Sequence, residues 1–582
     1  MQRISLSKVF LYSIAFLFTG VAFAQEDEEG DIDTERLIIV KPYSPTVSDA
    51  FKVKQTPVIN DSTENKKKQV SYDIFSFPVA STFTPAKGTA AGVTRKSMPR
   101  LYDNYASLGF GNYSNIAAEF YSTINLDRGK EVSIGLVHNS SQGGIDEARL
   151  DDKFYNTGLE IGYKAQQRNF TWGVDAGFQH QVYNWYGIPD YFQPTDIELA
   201  GIDPQHSYYA ATFGANIDME QGIFDEAKLK YRRFGDNFGS GENHVKWTPK
   251  LEFPVVEQLI GTELSFDFVN GNFDESYENL PVSNQYGFFN LGVAPSIQIQ
   301  NEDLSVNLGA QLVYSMDIEN EDNNLYLYPK VTGSYRVAGD YFIAYAGAEG
   351  ELKQNTYYEF VQENPFVSPT LLVAPTDKQY DIYLGGKGKF TDQISYNIRG
   401  SYKSEVNKPM FIHNPYVATG NTPKEGYENF NSFGVVYDDV TTVSFFGELQ
   451  FALSDDFNVR LNGTYNNYSA DTQDEVWNLP EFEGSLALDY QITEKWFAGA
   501  SMFAVGERNV YLDFQGVQST YQTKGTMDAY LDANLRVGYK LNDRLSLFAR
   551  GNNLLTENYR PWLGYPTQGL QVMAGASYQF DW

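Results

Sequence analysis

The sequence predicts an all-β fold: a transmembrane antiparallel β-barrel of about 22 strands, with short periplasmic turns and long extracellular loops. Three observations lead there. Strand-length segments with one apolar and one polar face recur from about residue 102 to the end. The connections between them sort into two classes, short polar ones and long ones, in alternation. Aromatic residues make up 15% of the chain, with 42 Tyr and 41 Phe, and a bilayer interface is a place where such residues collect.

Taken in order, residues 1–24 have the form of a secretory signal peptide. Arg3 and Lys8 precede the apolar run VFLYSIAFLFTGVA, and Ala22-Phe23-Ala24 supplies a small-x-small cleavage site before Gln25. No Cys follows that site, and the chain has 0 Cys, which excludes disulfides, thiol chemistry and Cys-based zinc sites. Residues 25–101 open acidic (EDEEGDIDTE) and are punctuated by Pro42, Pro45, Pro57, Pro78, Pro85 and Pro99, with Lys66-Lys67-Lys68 between. Proline forbids long helices and central strands, so this segment is expected to be extended, periplasmic or luminal. Within it, Pro42, Tyr43, Pro45, Phe51 and Pro57 mix apolar side chains with restricted backbone, which suits a peptide docked on a partner's surface. A plain linker is the other reading.

The barrel is expected over residues 102–582. Leu159, Ile161 and Tyr163 alternate with Glu160 and Lys164, and Val306, Leu308, Ala310, Leu312 and Tyr314 share one face. In FNVRLNGTY, Phe457, Val459, Leu461 and Tyr465 oppose Arg460, and in LDANLRVGYK, Leu535 opposes Arg536 and Lys540. The last strand, LQVMAGASYQFDW, places Leu570, Val572, Ala574, Ala576, Tyr578, Phe580 and Trp582 on one side, with Met573 out of pattern on the other. Short turns fall at 127–130, 166–168, 301–304, 338–341, 391–393, 454–456, 493–495 and 542–544. In such a barrel the apolar face meets lipid and the polar face the lumen, so Glu160, Arg399, Arg460, Arg536, Lys540 and Arg550 are expected inside. The strand closes the sheet because an open edge cannot sit in lipid.

Residues 546–580, SLFARGNNLLTENYRPWLGYPTQGLQVMAGASYQF, carry a resemblance to a known family. They resemble the end of the TonB-dependent receptor barrel, with Asn553-Leu554-Leu555, Tyr559, Gly564-Tyr565-Pro566 and Gly569 in the places of that family's final loop motif. Leu570 stands where the family usually has Arg. The resemblance implies a barrel of about 22 strands in the outer membrane of a Gram-negative bacterium and a role in solute uptake. It also implies a globular N-terminal plug of well over a hundred residues, and the segment from 25 to about 101 is too short for a recognisable one.

Functional residues are sparse. The net charge of −30 argues against nucleic acid, and the expected partners are the bilayer and other outer-membrane or periplasmic proteins. The five histidines are His138, His180, His206, His244 and His413. VHNSS puts His138 near serines, but no acid or oxyanion arrangement accompanies it, so no enzyme activity is expected. Asp317, Glu319, Glu321 and Asp322 could offer oxygens to Ca²⁺, yet lack the spacing of a calcium loop and fit a solvated turn better. No cofactor is expected. Two groups of outer-loop aromatics, Tyr183, Trp185, Tyr191 and Phe192, and Tyr357, Tyr358, Phe360 and Phe366, could grip a sugar or a protein, or pack the loops. Two functions from different classes follow: a solute receptor or conduit gated by the N-terminal segment and loops, or a non-transporting barrel subunit of a larger outer-membrane assembly.

Overall fold

In the computed structural model, residues 100–582 are described apart from 256–257, 278–283, 418–424, 513–523 and 556–557. The expectations for the signal peptide and for Pro42, Tyr43, Pro45, Phe51 and Pro57 lie outside the described residues.

Twenty-two antiparallel strands form one closed sheet. The first, Asn104–Gly111, pairs on one side with Ile116–Asp127 and on the other with the last, Gln571–Phe580. The sheet thereby has no open edge, as the hydrocarbon core requires. Strands range from 8 residues at Asn104–Gly111 to 22 at Phe433–Ser454. An additional hairpin, Arg508–Tyr511 with Lys524–Met527, belongs to an outer loop and forms a two-stranded sheet of its own, with Tyr511 packed beside Met410 and Val440 of the wall.

Register fixes which face each residue takes, because directly paired residues point the same way. Leu535 pairs with Ala500 and Gly551, and Arg536 with Gly499 and Arg550, so the two neighbours face opposite sides. Leu159, Phe178, Phe213, Leu312, Leu461 and Leu535 are all exposed on the outer wall, the band that meets lipid acyl chains. The charges expected inside are inside: Arg399 pairs with Asp381 at 2.6 Å and Arg536 with Asp489. The Arg550 guanidinium lies 4.8 Å from the Phe548 ring centre. Met573, the residue out of pattern, is luminal beside Arg550, and its sulfur would stand 2.8 Å from any Cβ at Gly109.

At one end the strands are joined by tight turns. These include the eight expected from sequence and two more, between Met219 and Phe224 and between Val255 and Gln258. Close to them, on the lipid face, Tyr163 lies by Trp172, Phe457 by Tyr490 and Trp496 by Tyr539, with ring centres 4.8–5.3 Å apart. This is an inner aromatic girdle, and the terminal Tyr578, Phe580 and Trp582 continue it. A closed wall with an apolar outer band and this girdle is a structure of the Gram-negative outer membrane.

Candidate functional site: the loop cap at the outer mouth

Long connections at the other end turn inward and meet. The loop after Phe342–Lys353 carries a short helix, α1, Tyr357–Glu363, with Thr356 as its cap. Tyr357 and Phe360 of α1 join Val361, Val367, Leu371 and Val373 in one buried cluster. That cluster also takes Tyr208, Phe234, Phe273, Tyr286, Phe411 and Phe433, from strands spread over half the wall. From the opposite arc, the last outer loop delivers Tyr565, whose ring stacks on Phe366 at 3.7 Å and stands edge-on to Tyr186 at 4.9 Å. Aromatic pairs of this kind are worth about 0.5–1.5 kcal/mol each beyond their buried area. Elements from half the wall and from the last outer loop opposite therefore converge across the mouth.

The cap is also held by polar groups that the burial makes consequential. Tyr186 Oη donates to the Pro566 carbonyl at 3.0 Å, the Trp185 indole N–H to the Phe366 carbonyl at 3.2 Å, and Tyr208 Oη to the Pro365 carbonyl at 2.9 Å. Tyr565 Oη donates to the Asn431 carbonyl. Burial pushes the Tyr565, Tyr186 and Tyr357 phenols up, Tyr565 and Tyr357 well above the usual tyrosine range, so these hydroxyls remain donors.

Glu242, fully buried on the luminal face, anchors α1. Its Oε2 accepts from the Tyr357 backbone N–H at 2.6 Å and from Tyr286 Oη at 2.7 Å. Gly271 beside it leaves room for that tyrosine, since a Cβ there would meet the Tyr286 hydroxyl at 2.3 Å. A carboxylate at a helix start is stabilised by the unpaired N–H groups there. Arg232 stands 3.6 Å from Glu242, donates to Thr356 Oγ1 at 3.1 Å and to His244 Nδ1 at 3.2 Å, and lies 4.0 Å from the Tyr358 ring centre. His244 Nε2 meets Asp267 at 2.8 Å, which puts the ring proton on Nε2. The loop is thus latched to the wall by a buried ion pair.

Trp185, Tyr357 and Phe360 prove to be interior residues of the cap, at 0%, 1% and 3% exposure, with Tyr358 half-buried against Phe234. Packing rather than outward contact is their geometry. Tyr191 remains exposed, and Phe192 stands 5.2 Å from Phe430 at the rim. His138 lies on the outer face, bonded to Thr157 at 2.8 Å and Ser140 at 3.0 Å. Asp317 accepts from the backbone N–H groups of Glu319 and Asn320 in an exposed turn, and no metal-holding group of carboxylates or histidines occurs among the described residues. Sequence reasoning missed both loop helices, α1 and Asp196–Ala200. A signal was present in each, Thr356-x-x-Glu359 and Thr195-x-x-Glu198, the capping-box spacing. It also missed Glu242 and Arg232.

No family model and no curated protein matches the chain. Solved structures do. The pyoverdine outer membrane receptor FpvA from Pseudomonas aeruginosa PAO1 matches with a TM-score of 0.62 at 15% identity, over 84% of this chain and 80% of that one. The ferric-catecholate import receptor Fiu from K12 E. coli gives 0.60 at 11%, over 83% and 82%. The copper transporter OprC gives 0.60 at 12%, over 83% and 81%. The fold is that of the TonB-dependent receptor barrel. Within that fold, the residues that carried the resemblance shape the last outer loop. Asn553 Nδ2 donates to the Gln568 carbonyl at 2.9 Å, Tyr559 Oη to Asp532 at 2.9 Å, and Tyr565 enters the cap.

Proposed function

We propose that the chain is an outer-membrane receptor or conduit for a solute, closed at its outer mouth by its own loops and opened by their displacement. The observation that carries this reading is the cap: loops from opposite arcs pack an aromatic cluster across the lumen and latch it through Glu242 and Arg232. A barrel of this width otherwise leaves a wide aqueous pore. Proteins of the same fold include a receptor bound to pyoverdine and a copper transporter, which supports a solute as cargo. The N-terminal segment, residues 25–101, is proposed to gate the conduit together with the loops.

Planar-bilayer recordings test both gates. The intact chain should conduct little, and deleting residues 30–95 or replacing residues 355–374 by a short glycine-serine linker should each raise single-channel conductance. The first deletion should also admit large antibiotics to cells. If neither change alters conductance while a stoichiometric partner is lost on deleting 30–95, the conduit reading fails and the assembly-subunit reading replaces it.

A further inference from the structure

Beside the cap lies a cavity of about 440 Å³, within the ~300–1,000 Å³ typical of small-molecule sites. It is walled by the ends of strands on both sides of the barrel seam and by four outer loops. Its lining is dominated by side-chain amides: Asn184, Asn534, Asn552, Asn553, Gln568 and Gln571. Apolar faces come from Phe154, Tyr183, Tyr186 and Phe366.

The charged groups in this wall are committed to neighbours. Asp152 accepts from the backbone N–H groups of Gly144 at 3.1 Å and Ile145 at 2.8 Å, and Lys153 is paired with Asp151 at 2.7 Å. Asp532 uses Oδ2 to accept from Tyr559 at 2.9 Å. Two acceptors are left over. Asn184, 2% exposed, spends its N–H₂ on the Asp151 carbonyl at 2.7 Å, and its Oδ1 has no partner among the described residues. Asp532 Oδ1 is likewise buried without a partner there. An unmet buried acceptor costs about 1–3 kcal/mol, a cost removed by a ligand that brings donors.

We infer that this cavity binds a neutral, hydroxyl-rich ligand, a mono- or disaccharide or the end of a longer oligosaccharide. Hydroxyl groups donate to Asn184 and Asp532 and accept from Asn534 and from the second amide protons of Asn552 and Gln571, while the ring's C–H face rests on the aromatic side chains. Gln568 spends both amide protons on Ser141 and Gly143. An anionic cargo is disfavoured, because the single lysine in the lining is neutralised and both open positions are acceptors. The inference rests on the receptor reading and gives it a substrate class. A ligand here would touch Phe366, the ring stacked on Tyr565, and so would bear directly on the cap.

The test is binding to the purified full chain in detergent. The probes are an array of neutral gluco-, manno-, galacto- and xylo-configured di- and trisaccharides, with uronate, sialylated and cationic aminosugar glycans and a ferric hydroxamate chelate as counter-probes. At least one neutral glycan should be retained in preference to every counter-probe. Asn534→Ala and Gln571→Ala should each weaken its binding about tenfold, and Tyr559→Phe, which removes the donor holding Asp532, should weaken it less. Retention of no neutral glycan, preference for a charged probe, or equal binding by Asn534→Ala and Gln571→Ala overturns the inference. Because the readout is binding and not conduction, such a failure leaves the conduit reading standing. Unchanged conductance in the loop and tail deletions would sink that reading without touching the glycan site.

Discussion

The two ends of the barrel are built from different chemistry. At the inner end, strands are joined by turns such as the Asp127–Lys130 hairpin, where Gly129 takes a φ of 74° and the Asp127 carboxylate accepts from the Arg128 N–H. Each such turn is closed by its own residues and by backbone bonds to the adjoining hairpin, such as Gln166 N–H to the Gly129 carbonyl at 2.6 Å. The outer end has local turns too, at Asp236–Ser240 and Asp317–Asn320, but its cap is held by distant pairs: Tyr565 meets Asn431, Trp185 meets Phe366, and Tyr357 meets Asp236 and Glu242. The inner end is a row of turns tied only to their neighbours, and the cap at the outer end joins segments far apart in the chain. Damage at the inner end should stay where it is made, and damage at the outer end should spread.

The largest expected effect breaks the latch. Glu242→Ala or Arg232→Ala leaves the partner charge buried and unpaired, which costs about 3–5 kcal/mol. Protease accessibility of residues 355–375 should rise sharply, with the wall still resistant. The double change to Leu at both positions should recover part of the loss, and equal protection in all variants would mean that the cap does not depend on the pair.

The wall gives the next largest. Leu535→Arg places a charge on the lipid face and should cost about 2–4 kcal/mol near the midplane, whereas Arg536→Leu on the luminal face should cost much less. Folding yields into vesicles compare the two, and equal yields would show that the register is wrong.

Tyr565→Phe keeps the ring stack and removes one buried hydrogen bond, an effect of about 0.5–1.5 kcal/mol. It should increase proteolysis of the last outer loop and of residues 355–375 together, since one cooperative cap joins them. Cleavage confined to the last loop would split the cap into separate parts.

Smallest of all is Arg560→Ala. Its partners Asp190 and Glu147 are at the surface, so roughly 0.2–1 kcal/mol is expected, shrinking further in high salt. A tag after Asp392 should be reached only from the periplasm, and one at the exposed Leu372 from outside intact cells.

This contrast also explains how far the sequence could be read. Period-2 alternation put Leu535 and Arg536 on opposite faces, and the polar turns gave a count of about 22, because strands and tight turns are set by neighbours in the chain. The burial of Trp185 could not be read, since Phe238, Tyr427 and His206 come to it from distant segments. Glu242 and Arg232 look like any luminal charges until α1 is laid against them. The helix itself was announced by Thr356-x-x-Glu359 and masked by the apolar and proline-rich residues that follow. The amide-lined cavity is assembled from five stretches of chain, none of which is distinctive alone.

The seam has a further consequence. Asn104 donates to the Phe580 carbonyl across 476 residues of chain, and the first strand has no second neighbour until the last one arrives. Bringing such ends together costs roughly 5 kcal/mol of chain entropy before any contact at the seam repays it. Order of synthesis therefore works against this protein: its first strand is made earliest and completed last. Until then it presents an unpaired edge, the kind of edge that invites pairing with other chains. The nascent polypeptide must accordingly be kept from aggregating over its whole length, and losing the final strand alone would leave the entire barrel without a closed state.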